Sequence, residues 1–533
     1  MSFRLRPKFT GLFHDDVVTD SFWIRETGEL TLPSLAGLDR IAIVGEVLPP
    51  DPADATSRGH PGLLARLDGQ DSAELHAPPP GPFRLELGLP ASAATSHTLH
   101  LQLTGTVGGN LLAWLGRVTG LGFLQPWRRQ ARNRRLRIKR IEAGAEVLFD
   151  FGNRSAPWNA DFARRFLKLG LNIAGFFKAD LGVGESVRCM ARAAEAAGLQ
   201  SALINLKLHC INPQTDETFA RRLQETNPHP VNVFHLDAPV SRDIDHHHGR
   251  GFRQGKYNIA YWAWELPEFP DAWVHHANHF DEIWTPSRFT TEAIAPKVPL
   301  PVLTMPHAIG FTRPQGDFRR KYGLPTDKFL FLFLYDLNSY SERKNPAAVI
   351  EAFRRSGLSG RGAALVIKVH NVPSNPADFE RLREAVASLP GTTLITQTLA
   401  RAEIYELESA CDCFVSLHRS EGFGLAVAEC MFLGKPVIAT DWSGTTDFVR
   451  ADNACPVRAT TVMLDRNHGP YAKGQVWADP DVDHAAWWMQ QLQGDRALAQ
   501  RLGASARASI ETGLAPAVIG ARYRRRLEAI ACW

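Results

Sequence analysis

The chain has 533 residues, 44% of them apolar and 22% charged, with 60 lysines and arginines against 56 aspartates and glutamates. That length exceeds one ordinary hydrophobic core and predicts two or three domains, while the composition excludes a disordered or fibrous chain. A formal net charge of +4 excludes a globally basic nucleic-acid binder, so an anionic partner would have to meet a local cluster.

Of the seven cysteines, Cys411 and Cys413 in CDCFVSLH point to one face of a predicted strand. No second Cys or His pair follows at zinc spacing, so core packing is expected there and no metal. The first residues lack an apolar signal core, and no run approaches the ~20 apolar residues that span a bilayer, which predicts a cytoplasmic protein.

Residues 1–165 read as an all-β, antiparallel, sandwich-like domain. The segments ELTLP, RIAIVGEV, FRLELGLP, TLHLQLTG, LRIKRI and EVLFDF alternate or cluster apolar residues between Pro, Gly, Asp and Ser, and no period of 3.6 precedes Trp158. One patch stands apart: Arg128 to Arg140 (RRQARNRRLRIKR) carries eight basic residues and follows Trp114, Phe123, Leu124 and Trp127. Two readings stay open. Basic residues beside tryptophans suit an anionic membrane surface, which would make the protein peripheral on the inner face of the cell membrane. Alternatively Leu136 and Ile138 face a core while the arginines face water. Nucleic acid is not an expected partner, because the cluster stands alone without a recognition motif.

From Leu167 the pattern becomes β-α. LNIAGFFKADLGVGESVRCMARAAEAAG predicts a strand over Leu171 to Phe177, a loop with Gly182 and Gly184, and an alanine-rich helix ending at Gly198. Glycine suits both close approach to a ligand and a helix C-cap. A dinucleotide fingerprint is not met, since no full GxGxxG is present and SALINLKL offers no acidic residue on the next strand. VNVFHLD, YNIAYWAW, DEIWTPS and PVLTMPHA continue the alternation, which implies a mostly parallel sheet covered on both faces. Ligands sit at the carboxyl ends of such strands, where His235, Asp237, Glu265, Ser287 and His307 fall. The consecutive His246, His247 and His248 cannot all reach one ion from a regular backbone and read as a solvated loop.

KFLFLFLYDLNSYSERKNPAAVIEAFRRS opens a third region with a continuously apolar strand. Arg343 and Lys344 stand just before Asn345 and Pro346, an N-cap and first helical residue, and two cations at a helix start suit a diphosphate. After AALVIKVH, TTLITQ and CDCFVSLH comes SEGFGLAVAECMFLGKPVIATDWSGTTD, from Ser420 to Asp447. Its glycines Gly422 and Gly424 fall at a strand-to-helix turn. Glu421 stands at that turn and Glu429 about one turn inside the helix, where a carboxylate suits a diol such as a ribose and the free N–H groups suit a diphosphate. Asp441, Ser443 and Gly444 end the next strand and are expected to line the same pocket. The tail from Gly513 to Trp533 has a helical pattern.

These motifs together, the E-x7-E segment Glu421 to Glu429 followed by GKPVIATDWSGTTDFV and preceded by a strand and ERKNP, resemble the retaining glycosyltransferases of family 4. The similarity covers roughly residues 168–530. It implies an α/β protein of GT-B fold, with two facing Rossmann-like domains at 166–312 and 313–533 behind an accessory β domain, and a C-terminal helix that returns to the first of the two. It also implies transfer of a hexosyl group from a nucleoside-diphosphate sugar, GDP-mannose or a UDP-sugar, to a glycan or polyprenyl-linked acceptor in surface polysaccharide assembly, without metal or cofactor. In this resemblance Lys344 resembles the lysine on the donor diphosphate, with Arg343 its helper. Glu421 resembles the glutamate at the donor sugar and Glu429 the one on the ribose. The backbone at Gly422, Phe423, Gly424 and Leu425 contacts sugar and phosphates, and Gly182 and Gly184 face them from the other domain. Three departures matter: Asn338 stands where many members have an arginine, PHAIG with His307 replaces a PNGVD-like turn, and AWELPEFP keeps Glu265 without the usual histidine. A nucleotide-sugar epimerase of the same fold, and a non-catalytic glycan-binding or scaffold descendant, are the rival readings.

Overall fold

The computed structural model describes residues 9–14, 21–33, 35, 37–50, 52, 61–69, 71–89, 96–104, 135–152, 169–210, 212–254 and 256–531. Contacts divide the chain into two compact units, one of Met1–Leu169 with Arg526–Trp533, the other of Gly170–Arg525.

Nine strands build the first unit: β1 (Phe9–His14), β2 (Phe22–Pro33), β3 (Arg40–Val47), β4 (Gly62–Leu67), β5 (Asp71–Leu75), β6 (Gly81–Gly88), β7 (Ser96–Thr104), β8 (Leu136–Ala143) and β9 (Glu146–Asp150). They form one antiparallel sheet in the order β5-β4-β7-β2-β8-β3-β6, with β1 beside β2 and β9 beside β8. Period-two patterning drives it: along β6, Phe83, Leu85 and Leu87 face inward while Arg84 and Glu86 face out and pair at 3.0 Å. The outermost strands β5 and β6 also pack on each other, so the sandwich-like character comes from one sheet curled over its own core.

The basic patch meets this sheet at β8. Leu136 and Ile138 are buried, as expected, but so are Arg135 and Arg137, which corrects for these two the expectation that the arginines face water or a membrane, while Arg140 is exposed. β8 is paired along both edges, with β2 and β3, and its first half, Leu136 to Ile138, is buried residue after residue, so both of its faces are covered there. Arg135 donates to the Leu48 carbonyl at 2.8 Å, Lys139 lies 3.1 Å from Glu46, and Arg140 lies 3.5 Å from Glu142. Residues 128–134, with Trp114, Phe123, Leu124 and Trp127, lie outside the described residues.

The second unit holds two six-stranded sheets, each wholly parallel. One contains β10 (Gly170–Gly175), β11 (Gln200–Asn205), β12 (Val231–His235), β13 (Tyr257–Tyr261), β14 (Glu282–Thr285) and β15 (Val302–Thr304), in the order β11-β10-β12-β13-β14-β15. The other contains β16 (Phe329–Asp336), β17 (Ala363–His370), β18 (Thr392–Ile395), β19 (Cys413–Ser416), β20 (Val437–Thr440) and β21 (Cys455–Val457), in the order β18-β17-β16-β19-β20-β21. The unbroken apolar run of β16 is explained by burial on both faces, each phenylalanine there being worth ~1.5–3 kcal/mol. Chain order reverses at β10 and at β16, and such switch points open a crevice at the strand carboxyl ends.

Six helices place side chains around that crevice: α1 (Gly182–Ala196), α2 (Arg288–Ile294), α3 (Pro346–Arg355), α4 (Arg401–Ala410), α5 (Leu425–Phe432) and α6 (Pro516–Ala531). Gly182 and Gly184 lie inside the first turn of α1, not in a loop before it. Gly184 is glycine for a packing reason: a Cβ there would stand 2.3 Å from the Ala179 carbonyl oxygen. Gly520 on α6 does the same against Ala193 of α1, at 2.1 Å, while the Tyr523 ring stacks on Trp284 at 5.3 Å. The last helix therefore crosses α1 at near backbone contact. A hairpin that the sequence pattern did not announce, β22 (Ala459–Met463) and β23 (Val476–Pro480), comes after β21, and its Leu464, Tyr471 and Trp477 join the core of the first parallel sheet.

Candidate active site

β16 and β19 are parallel neighbours, with Leu332 beside Phe414, so the segments leaving their carboxyl ends rise side by side. That brings the helical turn Ser341–Lys344 to the turn at Glu421 from 77 positions away. Lys344 donates to the Glu421 carboxylate, and Arg343 lies 3.3 Å from it while also donating to the Ser420 carbonyl at 2.9 Å. Asn345 ends the turn with φ +58 and caps α3 by accepting from the Ala348 amide; asparagine is one of the few side chains that tolerates this backbone. Burial works against the charge of Glu421, but Lys344 and Arg343 outweigh it and hold the carboxyl down at about 2. Burial likewise lowers the Lys344 ammonium, with Glu421 opposing. Arg343 is buried beneath the turn, whereas the Lys344 side chain keeps 22% of its surface and is the more accessible cation.

The turn itself is buttressed from β20. The Glu421 amide donates to Ser443 Oγ and the Gly444 amide to the Glu421 carbonyl, both at 2.9 Å. A Cβ on Gly444 would lie 2.3 Å from the Gly422 oxygen, and Gly424 opens α5 at φ +94, so both glycines are demanded by backbone geometry. Leu425 begins α5, and the first N–H groups of that helix have no intrahelical acceptor. Asp441 is not drawn in: its side chain is exposed and its amide donates to the Val457 carbonyl at 2.9 Å. Asn338 belongs to a separate polar cluster, accepting from Asn375 at 2.7 Å.

Glu429 lies inside α5 as expected, yet its carboxylate is taken. Arg401 of α4 donates to it and reaches Glu185 of α1 at 3.5 Å, with the Arg401 guanidinium 4.6 Å over the Tyr405 ring. Glu185 is tied further to Arg188 at 2.8 Å and to Arg192. Arg401 thus joins the two parallel sheets through a buried chain of charges.

The opposite wall is supplied by the first sheet. Glu265, which comes after β13, lies 3.8 Å from Arg343, accepts from the Tyr471 hydroxyl at 3.3 Å, and takes the Ser420 hydroxyl on its backbone carbonyl. His307 sets its ring edge-on to Phe423 at 4.7 Å, so the replaced turn still touches the glycine turn. The Tyr261 hydroxyl donates to the Met305 carbonyl at 2.7 Å and lies 3.1 Å from His307 Nδ1, which makes that nitrogen the donor and leaves Nε2 as acceptor. Burial pushes His307 down to about 3. His235 is a core residue, stacked on Tyr261 at 4.3 Å and 2.9 Å from Ser186 Oγ, and burial pushes it well below the usual histidine value. Gly182 is exposed and Gly184 is sealed under its own loop. Ser287 caps α2 through the Thr290 amide at 3.2 Å.

Residues 314–508 match the family described as Glycosyl transferases group 1. The matched span contains Arg343, Lys344, Glu421 and Glu429. The second unit has the GT-B fold. It resembles Anabaena Alr3699/HepE solved in complex with UDP and glucose, at 12% identity and TM-score 0.51, and sucrose-phosphate synthase (tll1590) from Thermosynechococcus elongatus, at 14% identity and TM-score 0.50. Each similarity covers 68% of this chain and 100% of the other. No curated protein sequence matches the chain.

Four members of the site escaped sequence reasoning: Arg401, Tyr471, Ser186 and His418. Arg401 reads as an ordinary first residue of a helix and Tyr471 as a loop aromatic, because their partners lie 28 and 206 positions away. His418, fully buried and 3.2 Å from Thr445 Oγ1, is pushed down by burial to about 4 and braces the turn as a neutral ring.

Proposed function

We propose that the protein is a retaining, metal-independent glycosyltransferase of family 4 type. It moves a hexosyl group from a nucleoside-diphosphate sugar, a UDP-sugar or GDP-mannose, to a glycan or lipid-linked glycan in surface polysaccharide assembly. The observation that carries this is the convergence of Lys344, Arg343 and Glu421 at two neighbouring strand ends, with Glu265 opposite. The UDP and glucose held by the Anabaena neighbour favour the UDP-sugar arm.

Transfer breaks the bond between the anomeric carbon and a diphosphate oxygen and forms one to an acceptor hydroxyl, whose proton passes to the leaving phosphate on the same face. Charge grows on the diphosphate and oxocarbenium character on the sugar, and fixed groups already aimed at both stabilise them without reorganisation. Lys344 and the free N–H groups of α5 meet the diphosphate. Arg343, anchored on the Ser420 carbonyl, holds the turn and the field. Glu421 serves the sugar, and Glu429 takes the ribose by sharing Arg401. In this reading 1–165 is accessory, 166–312 faces the acceptor and 313–533 holds the donor. No helix among the described residues is long and apolar enough to cross a membrane, and we place the protein in the cytoplasm.

The test is thermal stabilisation by a panel of UDP-, GDP- and dTDP-sugars, followed by product analysis. A cognate donor at a hundred times its Kd adds ~2.7 kcal/mol and raises Tm by several degrees. No shift with any of them overturns the reading. An altered sugar formed without acceptor identifies an epimerase, and binding without turnover a non-catalytic descendant.

A further inference from the structure

The hairpin β22–β23 belongs to the chain of the second parallel sheet but buries Leu464, Tyr471 and Trp477 in the core of the first, against Trp262, Trp264 and Leu266. It is fastened at both ends. On the donor side, the Ala478 amide donates to the Arg419 carbonyl at 2.9 Å, Arg419 reaches Asp479 at 3.2 Å, and its guanidinium lies 5.4 Å over the Trp477 ring. Arg419 is two residues from Glu421. On the other side, Tyr471 packs on Trp264 with ring centroids 5.6 Å apart. At the middle, the Tyr471 ring lies 5.9 Å beneath the Arg343 guanidinium while its hydroxyl donates to Glu265 at 3.3 Å. Tyr340, at φ +64 just before the Arg343 turn, stands edge-on to the same ring at 5.6 Å, and its ring fills the space a Cβ of Gly469 would need.

We propose that Ala459–Pro480 is a permanent strap across the cleft and that Tyr471 is a positioning residue, setting Arg343 and Glu265 as one unit from opposite sheets. The inference rests in part on the transfer reading above. A cleft strapped in this way does not swing open to load a donor. The aromatic anchors hold the strap in place before any ligand arrives, because several buried rings must leave the core for it to lift.

Two measurements on the full chain separate this from the activity assignment. Hydrogen exchange without ligand is expected to show the hydrogen-bonded amides of Leu464, Tyr471 and Ala478 as protected as the sheets, and Tyr471→Ala is expected to speed exchange ~10-fold or more in both Trp262–Leu266 and Arg419–Glu421. Free exchange of the wild-type hairpin, or acceleration confined to the hairpin, overturns the strap. With UDP-glucose as donor, Tyr471→Phe keeps the ring under Arg343 and loses only the hydroxyl, so kcat is expected to fall ~10-fold with KM and Tm nearly unchanged. Because Tyr471 acts through Glu265, adding Tyr471→Phe to Glu265→Ala, which removes the acceptor of the tyrosine hydroxyl, is expected to cost nothing more, and independent losses that multiply overturn the positioning role. If exchange behaves as expected while the wild type binds and turns over no nucleotide sugar, the strap stands and the transferase reading fails.

Discussion

The strand ends of the first parallel sheet carry His235, His307 and Tyr261 as neutral groups, hydrogen-bonded with one another and with Ser186 of α1, whereas those of the second carry Lys344, Arg343 and Glu421 as charges. Both sheets bury these groups, so burial alone does not decide which stay ionised. In the first sheet desolvation of the histidines outweighs everything opposing it, including the pull of Glu185 on His307, and they go neutral. In the second, opposite charges are placed in contact, and Lys344 and Arg343 hold the Glu421 carboxyl ionised against its burial. One topology thus serves as a neutral wall on one side and a fixed electrostatic field on the other, and Glu265 is the charge that the neutral side contributes.

The largest break in this contrast is expected from Lys344→Ala and Glu421→Ala. Each removes part of the field and should lower transfer by ~10²–10³-fold, the scale seen when one preorganised group is lost; near-normal turnover in a folded Lys344→Ala protein would sink the assignment. Arg401→Ala tests the charged bridge between the sheets. Leaving Glu429 and Glu185 without it should cost about 3–5 kcal/mol in denaturant unfolding, more than any single neutral-side change such as Ser186→Ala. Gly444→Ala should lower both stability and donor affinity, since the new Cβ meets the Gly422 carbonyl, while Gly182→Ala, facing open space, should be close to silent in both. A change seen only as a difference between two pH values sharpens the rule. Glu408 on α4 is a buried carboxyl with both oxygens lacking a hydrogen-bond partner, and burial raises it to about 8. Below 4.5 both folded and unfolded chains hold that proton, but as pH rises toward 8 only the unfolded chain ionises freely, so the residue costs stability across that window. Glu408→Gln should therefore raise Tm more at pH 8 than at pH 5. Glu421 runs the other way, contributing stability present above 4.5 and lost as pH falls toward 2.

The strand-and-turn grammar was legible because it is local. The alternation of β6, the apolar run of β16, the Asn345-Pro346 cap and the glycines of the 420–424 turn each report a backbone need met within a few residues. The pairing of Arg343 and Lys344 with Glu421 was legible only as a shared motif, and parallel neighbours β16 and β19 are what bring it about. Arg135 and Arg137 were misplaced because a pattern of basic residues does not reveal that both faces of its strand are covered. Asp441 and Asn338 were expected at the pocket from their position along the chain, but Asp441 is exposed and Asn338 is bonded to Asn375.

The sequence by itself determined the two classes of sheet, the charged residues at the strand ends of the second, and the glycines that let backbone pass close to backbone. Only the tertiary structure decided that Glu429 is held by Arg401, that His307 touches the glycine turn, and that a late hairpin carries Tyr471 back to Glu265. Periodicity encodes which face of an element is buried. It carries no information about which distant element covers that face, because packing is chosen by the whole chain at once.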